Sequence, residues 1–147
     1  MIVAKDLFLK TDYEKELYDQ IKASELVDTL AYKYSDLPYY ILKKYFENLT
    51  KEPYNKLVEE RIFKPLELNQ ITYTPLDKFD TKQIVPSEID DYFRNRELDG
   101  YVHDMGAAMQ NGIGGHAGLF GNAESVAAIM QMYLQGGVFN GVQLLNS

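Results

Sequence analysis

A chain of 147 residues with 46% hydrophobic and 25% charged residues has the composition of one folded domain with a core, outside the low-hydrophobicity, high-charge range of disordered chains. Its formal charge of −7 argues against nucleic acid, because a polyanion is bound by clustered Lys and Arg and the longest basic run is Lys43-Lys44. Zero cysteines exclude a disulfide framework and zinc sites built on thiolates.

No stretch approaches the roughly 20 apolar residues of a membrane span, and no basic segment followed by a long apolar run marks an export signal. From Asp12 onward, Tyr13, Leu17, Ile21 and Leu26 lie on a roughly helical stripe with charges between them, which predicts a helix within residues 12–26. Ser35 or Asp36 can cap a second helix and Pro38 fits its first turn. Leu42, Tyr45, Phe46 and Leu49 then follow at i, i+3, i+4 and i+7 over about four turns. A third helix starts at Pro53, with Leu57, Val58, Arg61 and Ile62 spaced to pack, and stops before Pro65 because the residue preceding proline avoids the α region. These two helices are expected to form an αα-hairpin.

Residues 71–75, ITYTP, read as a short strand or extended loop. Residues 76–100 are polar and without a sustained period, with SEIDDYFRNREL as one short helix at most. Asn122 can cap a helix in which Val126, Ile129, Met130, Tyr133 and Leu134 repeat, and Gly136-Gly137 closes it. Asn140-Gly141 between apolar pairs indicates a tight turn. Helices, little strand and long connectors make the expected fold class mostly α, α+β at most. A long structureless connector inside a compact domain points to a functional loop or a segment leaning on a part outside it.

Residues 111–130, NGIGGHAGLFGNAESVAAIM, hold five glycines within eleven residues. A phosphate-loop reading fails, since no strand pattern precedes them, no Lys-Ser or Lys-Thr follows, and no acidic residue stands about 20 residues beyond at a strand end. His103, Asp104 and His116 are candidate metal ligands, yet neither histidine has a partner three or four residues away. A lone His-Asp pair is more often a structural hydrogen bond, and no metal or other cofactor is expected. Tyr34-Ser35-Asp36 reads by itself as a helix start in which Ser or Asp caps and Tyr packs.

Two longer stretches change that weighting. Residues 32–75, YKYSDLPYYILKKYFENLTKEPYNKLVEERIFKPLELNQITYTP, resemble a pattern of the serine hydrolases related to class C β-lactamases, DD-peptidases and penicillin-binding proteins. That pattern runs Tyr-Ser-Asn or Asp, a helix, Thr-Gly-x-Pro-Tyr, a helix ending Ile-Phe-x-Pro-Leu-Gly-Met, then Thr-x-Tyr-Thr-Pro. Residues 98–137, LDGYVHDMGAAMQNGIGGHAGLFGNAESVAAIMQMYLQGG, resemble the downstream Gly-x-Val-His-Asp and Gly-His-Ala-Gly-Leu-Phe segment of the same family. The resemblance runs in order from about Ala31 to Gly137. KDLFLKTDYEKELYDQI, residues 5–21, also resembles the segment ahead of the Tyr motif in an envelope-associated branch, some of whose members are fused to N-acetylglucosaminidase-type glycosidases.

The resemblance implies acyl-serine chemistry on a cell-wall peptide, an ester or a β-lactam, which needs three elements. A serine in Ser-x-x-Lys attacks, the Tyr of Tyr-x-Asn moves the proton together with that lysine, and a Lys- or His-Thr/Ser-Gly strand holds the substrate. By resemblance Tyr34 is the proton-transfer residue, a phenol of ordinary pKa near 10 whose phenolate depends on neighbouring cations. Asp36 stands at the Asn position; an ionised carboxylate only accepts hydrogen bonds, so it would not hold a β-lactam or peptide carbonyl as an amide does. His103 and Asp104 line the cleft by resemblance, with a structural role the preferred reading. His116 reads as a structural or rim residue, and glycines 112, 114, 115 and 118 let the backbone pack under the helix from Asn122.

None of Ser24, Ser35, Ser87, Ser125 and Ser147 begins Ser-x-x-Lys, and no Lys-Thr-Gly or His-Thr-Gly occurs. Residues 1–147 are therefore expected to be a single partial domain: the helical middle region of a β-lactamase-like hydrolase, without the main antiparallel sheet and without activity of its own. Its partners would be the missing flanking segments and, for the parent, a small peptide, ester or β-lactam-like substrate. Bared apolar faces predict marginal stability or self-association. Family resemblance points to the periplasm or cell envelope. The alternative is a non-catalytic binding or structural module on the same scaffold.

Overall fold

The computed structural model describes residues 1–26 and 32–146; Ala31, where the resembling stretch begins, and Ser147 lie outside them. The chain opens with a hairpin, β1 (Ile2–Ala4) against β2 (Leu7–Phe8), turned at Asp6 with φ 58°. Helix α1 (Tyr13–Ala23) follows and buries Tyr18. Helix α2 (Leu37–Thr50) has Pro38 in its first turn, and the Leu37 amide donates to Ser35 Oγ at 3.2 Å. The sequence places its apolar stripe correctly on a helix, but burial runs the other way. Tyr40 and Lys43 are the buried residues, while Leu42, Tyr45, Phe46 and Leu49 are exposed.

Lys43 is 4% exposed and sits 3.5 Å from both Glu14 of α1 and Glu47 of α2, with Lys44 3.6 Å from the same Glu14. A buried ammonium is tolerable only when paired in this way, so ion pairs are part of the α1–α2 contact. Helix α3 (Tyr54–Val58) runs on into a π-helical turn over Glu59–Phe63, within the bounds set by Pro53 and Pro65. The Tyr54 amide donates to Glu47 Oε1 at 3.2 Å, which joins the α3 start to α2.

Strand β3 (Ile71–Thr72) leads through two 3-10 turns, Pro75–Asp77 and Thr81–Gln83, to a hairpin of β4 (Glu88–Asp90) and β5 (Arg96–Leu98). Helix α4 (Met105–Ala108) is a single turn. Strand β6 (Phe120–Gly121) pairs antiparallel with β3. Helix α5 (Ala123–Leu134) is capped by Asn122, whose side-chain oxygen accepts from the Ser125 amide at 2.9 Å. Strands β7 (Val138–Phe139) and β8 (Val142–Gln143) close the chain. Their turn holds Asn140 and Gly141 at φ 47° and 80°, the two positive values that a tight two-residue hairpin requires.

Two apolar clusters carry these elements. One joins Val3, Val102, Ala107 and Ala108; the other joins Val58, Phe63, Ile71 and Tyr73, with Ile113 and Ile129 packed against it.

Two expectations are corrected. Residues 87–98 are not helical. The Asp90 carboxylate accepts from the amides of Tyr92, Phe93 and Arg94 at 3.0, 2.8 and 3.1 Å, a local turn that competes with helical pairing, and Asn95 then takes φ 52°. Nor is the fold mostly α. It is 40% helix and 13% strand, and among the described residues the strands form four separate two-stranded antiparallel ladders. The polar stretch 87–98 closes as a short hairpin on side-chain-to-backbone bonds, and the chain is a mixed α and β structure. Among the described residues no helix is long and apolar enough to cross a membrane.

Candidate functional site

The three residues ahead of α2 divide their labour. Ser35 takes the Leu37 amide, which leaves the Asp36 side chain free to turn back, and Tyr34 Oη donates to Asp36 Oδ1 at 3.0 Å. The Asp36 carbonyl meanwhile accepts from the Tyr39 and Tyr40 amides at 2.9 and 3.4 Å. Tyr34 is 65% exposed. The hydrogen bond to Asp36, and then the charge of that carboxylate, hold its phenol above the ordinary pKa of 10.0. In this arrangement Tyr34 is a protonated donor, and only a cation brought beside it would favour the phenolate.

Asp104 and His116, twelve residues apart, meet in space. Asp104 caps α4, its Oδ1 accepting from the Ala107 amide at 2.6 Å, and the same oxygen lies 2.8 Å from His116 Nε2. The His116 ring stacks on Tyr40, with centroids 4.5 Å apart and planes at 28°. The His116 side chain is 5% exposed, and its Nδ1 is buried without a partner. Burial, and then the carboxylates of Asp104 and Asp36, push the Tyr40 phenol up to about 12. Tyr40 thus stands between the two acidic residues that the sequence singles out. His103 is not part of this group: it is exposed, and its carbonyl accepts from Arg94. Among the described residues no group of three or more His, Asp or Glu side chains could hold a metal ion.

Two glycines make the assembly fit. A Cβ on Gly106 would lie 1.6 Å from Tyr40 Oη, and one on Gly115 would lie 2.4 Å from the Tyr39 carbonyl oxygen. The glycine-rich segment therefore lies directly on the first turn of α2. Tyr73 Oη donates to the Gly114 carbonyl at 3.2 Å, which fastens that segment to the second apolar cluster.

Sequence reasoning missed Arg94. It is 3% exposed, with Nε 2.6 Å from Asp90 Oδ2, Nη1 2.6 Å from the Val102 carbonyl and 3.5 Å from that of Val3. The amide of Phe93, and then the Arg94 side chain with the amides of Tyr92 and Arg94, hold the Asp90 carboxyl well below the usual carboxylate range against the opposing effect of burial. In the sequence, Asp and Arg four apart in a polar run suggest only an exposed helix pair.

The family model described as Beta-lactamase matches residues 4–146. The chain belongs to the β-lactamase family. Among its relatives is the Escherichia coli (strain K12) protein named "Putative D-alanyl-D-alanine carboxypeptidase", 37% identical over 126 residues, with 78% of this chain and 29% of that protein covered. A protein of the same name from Salmonella typhi is 36% identical over 126 residues, again 78% of this chain and 29% of that protein. This β-lactamase-family chain thus spans 29% of the length of these relatives. The D-amino acid amidase from Ochrobactrum anthropi SV3, solved with D-phenylalanine, superposes with TM-score 0.63 at 12% identity, covering 100% of this chain and 41% of that one. The same amidase with L-phenylalanine gives 0.62 at 13% identity, covering 100% and 42%. These likenesses show the shared fold of the β-lactamase-family chain with that amidase.

Proposed function

We propose that these 147 residues are a single partial domain of an acyl-serine hydrolase acting on a small peptide, amide, ester or β-lactam-like substrate, and that they contribute its proton-transfer tyrosine. The observation that carries this reading is the Tyr34–Asp36 pair, 3.0 Å apart at the head of α2, in a chain of the β-lactamase family. The relatives named carboxypeptidase support a peptide-like substrate. The nucleophile and the substrate-holding strand would come from polypeptide beyond these residues, consistent with the 29% share of the relatives that is matched and with five serines none of which begins Ser-x-x-Lys.

In this reading Tyr34 rests protonated on Asp36 and gives its proton to the leaving group, while a neutral lysine beside the nucleophile takes the serine proton and, as the ammonium, stabilises the phenolate that forms. In this reading Asp104 and His116 support the first turn of α2, and His103, exposed and apart from them, takes no step. A second reading, a non-catalytic binding module, draws on the same pair, because a carboxylate that keeps the phenol protonated opposes its use as a base.

The test is covalent labelling with a fluorophosphonate or fluorescent β-lactam probe, read by intact mass spectrometry. It is applied to the 147-residue chain and to the product of the complete reading frame that contains it. An adduct on a serine of the longer product, slowed about tenfold or more by Tyr34→Phe, and no adduct on the shorter chain is the expected result. A stable adduct on the 147-residue chain overturns the division of labour, and a folded longer product that never labels favours the binding module.

A further inference from the structure

We infer that Asp104 and His116 are positioning residues, which orient Tyr40 in the first turn of α2 and through that turn set the placement of Tyr34 and Asp36. The functional meaning of this inference rests on the reading of Tyr34 given above; its geometry does not.

The hydrogen on the His116–Asp104 contact is assigned by the partners. Asp104 Oδ1 already accepts from the Ala107 amide at 2.6 Å and an ionised carboxylate has no proton to give, so His116 Nε2 donates across the 2.8 Å contact. The other ring nitrogen, Nδ1, is buried and has no hydrogen-bond partner among the described residues. A histidine serving as a proton carrier would aim its second nitrogen at a reacting group. Here the second nitrogen has no hydrogen-bond partner among the described residues, and the ring face lies on Tyr40 at 4.5 Å. The chemistry of the imidazole is spent on fixing its own orientation, and the ring fixes Tyr40.

Tyr40 is held from its other sides as well. Its carbonyl accepts from Tyr18 Oη at 3.0 Å, and that hydroxyl is also 3.2 Å from Gln110 Oε1. Gln110 Nε2 in turn donates to the Gly106 carbonyl at 3.2 Å. Helices α1, α2 and α4 are therefore joined around one residue, and only the absence of a side chain at Gly106 lets the phenol end of Tyr40 lie against α4.

The link to the motif is made by the backbone. The amides of Tyr39 and Tyr40 both bond to the Asp36 carbonyl, and Gly115 lies on the Tyr39 carbonyl, so the turn that is clamped is the turn that begins at Asp36. The Tyr34 side chain is exposed and Asp36 half-buried, and among the described residues their side chains hydrogen-bond to each other. A side-chain pair two residues apart keeps one geometry only if the backbone beneath it is fixed.

The experiment uses amide hydrogen exchange and side-chain NMR of the whole chain at neutral pH, in wild type, His116→Phe, Asp104→Ala and Asp104→Asn. His116→Phe keeps an aromatic ring over Tyr40 and loses the donor. Asp104→Asn keeps an oxygen for both donors. Expected in His116→Phe is about tenfold faster exchange at Tyr39 and Tyr40, with amides of α5 such as Val126 unchanged, and a shift of the Tyr34 phenol Cζ resonance toward that of a free tyrosine. Asp104→Asn is expected to stay within about threefold of wild type. If His116→Phe does not fold, Asp104→Ala supplies the same readings.

Unchanged exchange at Tyr39 and Tyr40, together with an unchanged Tyr34 resonance in a folded His116→Phe, would overturn the inference and leave His116 as packing alone. Equal loss of protection at α5 would also overturn it, since the effect would then be global. None of these readings depends on acyl transfer, so failure of the labelling experiment and failure of this one are told apart.

Discussion

Gly106→Ala is the sharpest perturbation of the site. The residue has no positive φ, so alanine meets no backbone strain, and in a helical turn it would ordinarily gain about 0.5–1 kcal/mol over glycine. Against this, the new methyl would sit 1.6 Å from Tyr40 Oη and 2.7 Å from its Cζ. The ring cannot swing away freely, because His116 is stacked on it at 4.5 Å. Overpacking costs about 1–3 kcal/mol and a contact as close as this lies toward the upper end, so a net loss of about 2 kcal/mol is expected once the helical gain is subtracted. Urea denaturation followed by circular dichroism, extrapolated linearly, measures it. Tyr40→Phe removes the atom at 1.6 Å and leaves the one at 2.7 Å. The double variant should therefore recover part of the loss, with a coupling of about 0.5 kcal/mol or more. Gly106→Ala as stable as wild type, or strict additivity with Tyr40→Phe, would refute the clamp.

Other outcomes follow from the same geometry. Because the folded Asp90 carboxyl is held below its ordinary value, its contribution to stability is complete above the unfolded pKa of about 4 and is lost as pH falls through that value toward the lower folded one. Asp90→Asn should flatten the acid limb of Tm against pH, and parallel limbs in the two proteins would contradict the assignment. Asp36→Asn removes the group that raises the Tyr34 phenol, so an NMR titration should show Tyr34 moving back down toward 10.0. Leu42 and Leu49 are exposed on one face of α2. Replacing both with Gln should change unfolding free energy by less than about 0.5 kcal/mol per site while lowering any self-association seen by sedimentation velocity. A wild type that sediments as a monomer at all concentrations would dispose of the self-association expected from that face.

How much of this was legible in the sequence varies by element, for identifiable reasons. Helix α5 could be read because Asn122 caps it, apolar residues repeat along it and two glycines end it. Helix α2 could be located by Pro38 and its stripe, but a stripe says that a face is apolar and not that it is covered. The buried face turned out to hold Tyr40 and Lys43, and a lysine signals burial only once Glu14, 29 positions away, is known to reach it. Strands of two or three residues are too short to show alternation, which is why β1, β2 and β6 were invisible and the strand content was underestimated. The residues of 87–98 looked compatible with a helix because composition does not reveal that one carboxylate will gather three successive amides. At the candidate site, Tyr34, Asp36, Asp104 and His116 were all singled out by sequence. That Asp104 pairs with His116, that His103 stands apart and that Tyr40 joins the two acids depend on tertiary contacts that no local spacing encodes.

Arg94 bears on how the chain comes off the ribosome. Its guanidinium reaches back 91 positions to the Val3 carbonyl, and Arg96 reaches the Lys5 carbonyl across the same interval. At a synthesis rate of about 5–20 residues per second, the first hairpin waits about 5–20 s for the residues that hold it. During that interval Val3 and Ala4, enclosed in the folded chain, are exposed to the nascent-chain environment, so this hairpin is secured only after Arg94 and Arg96 have been made.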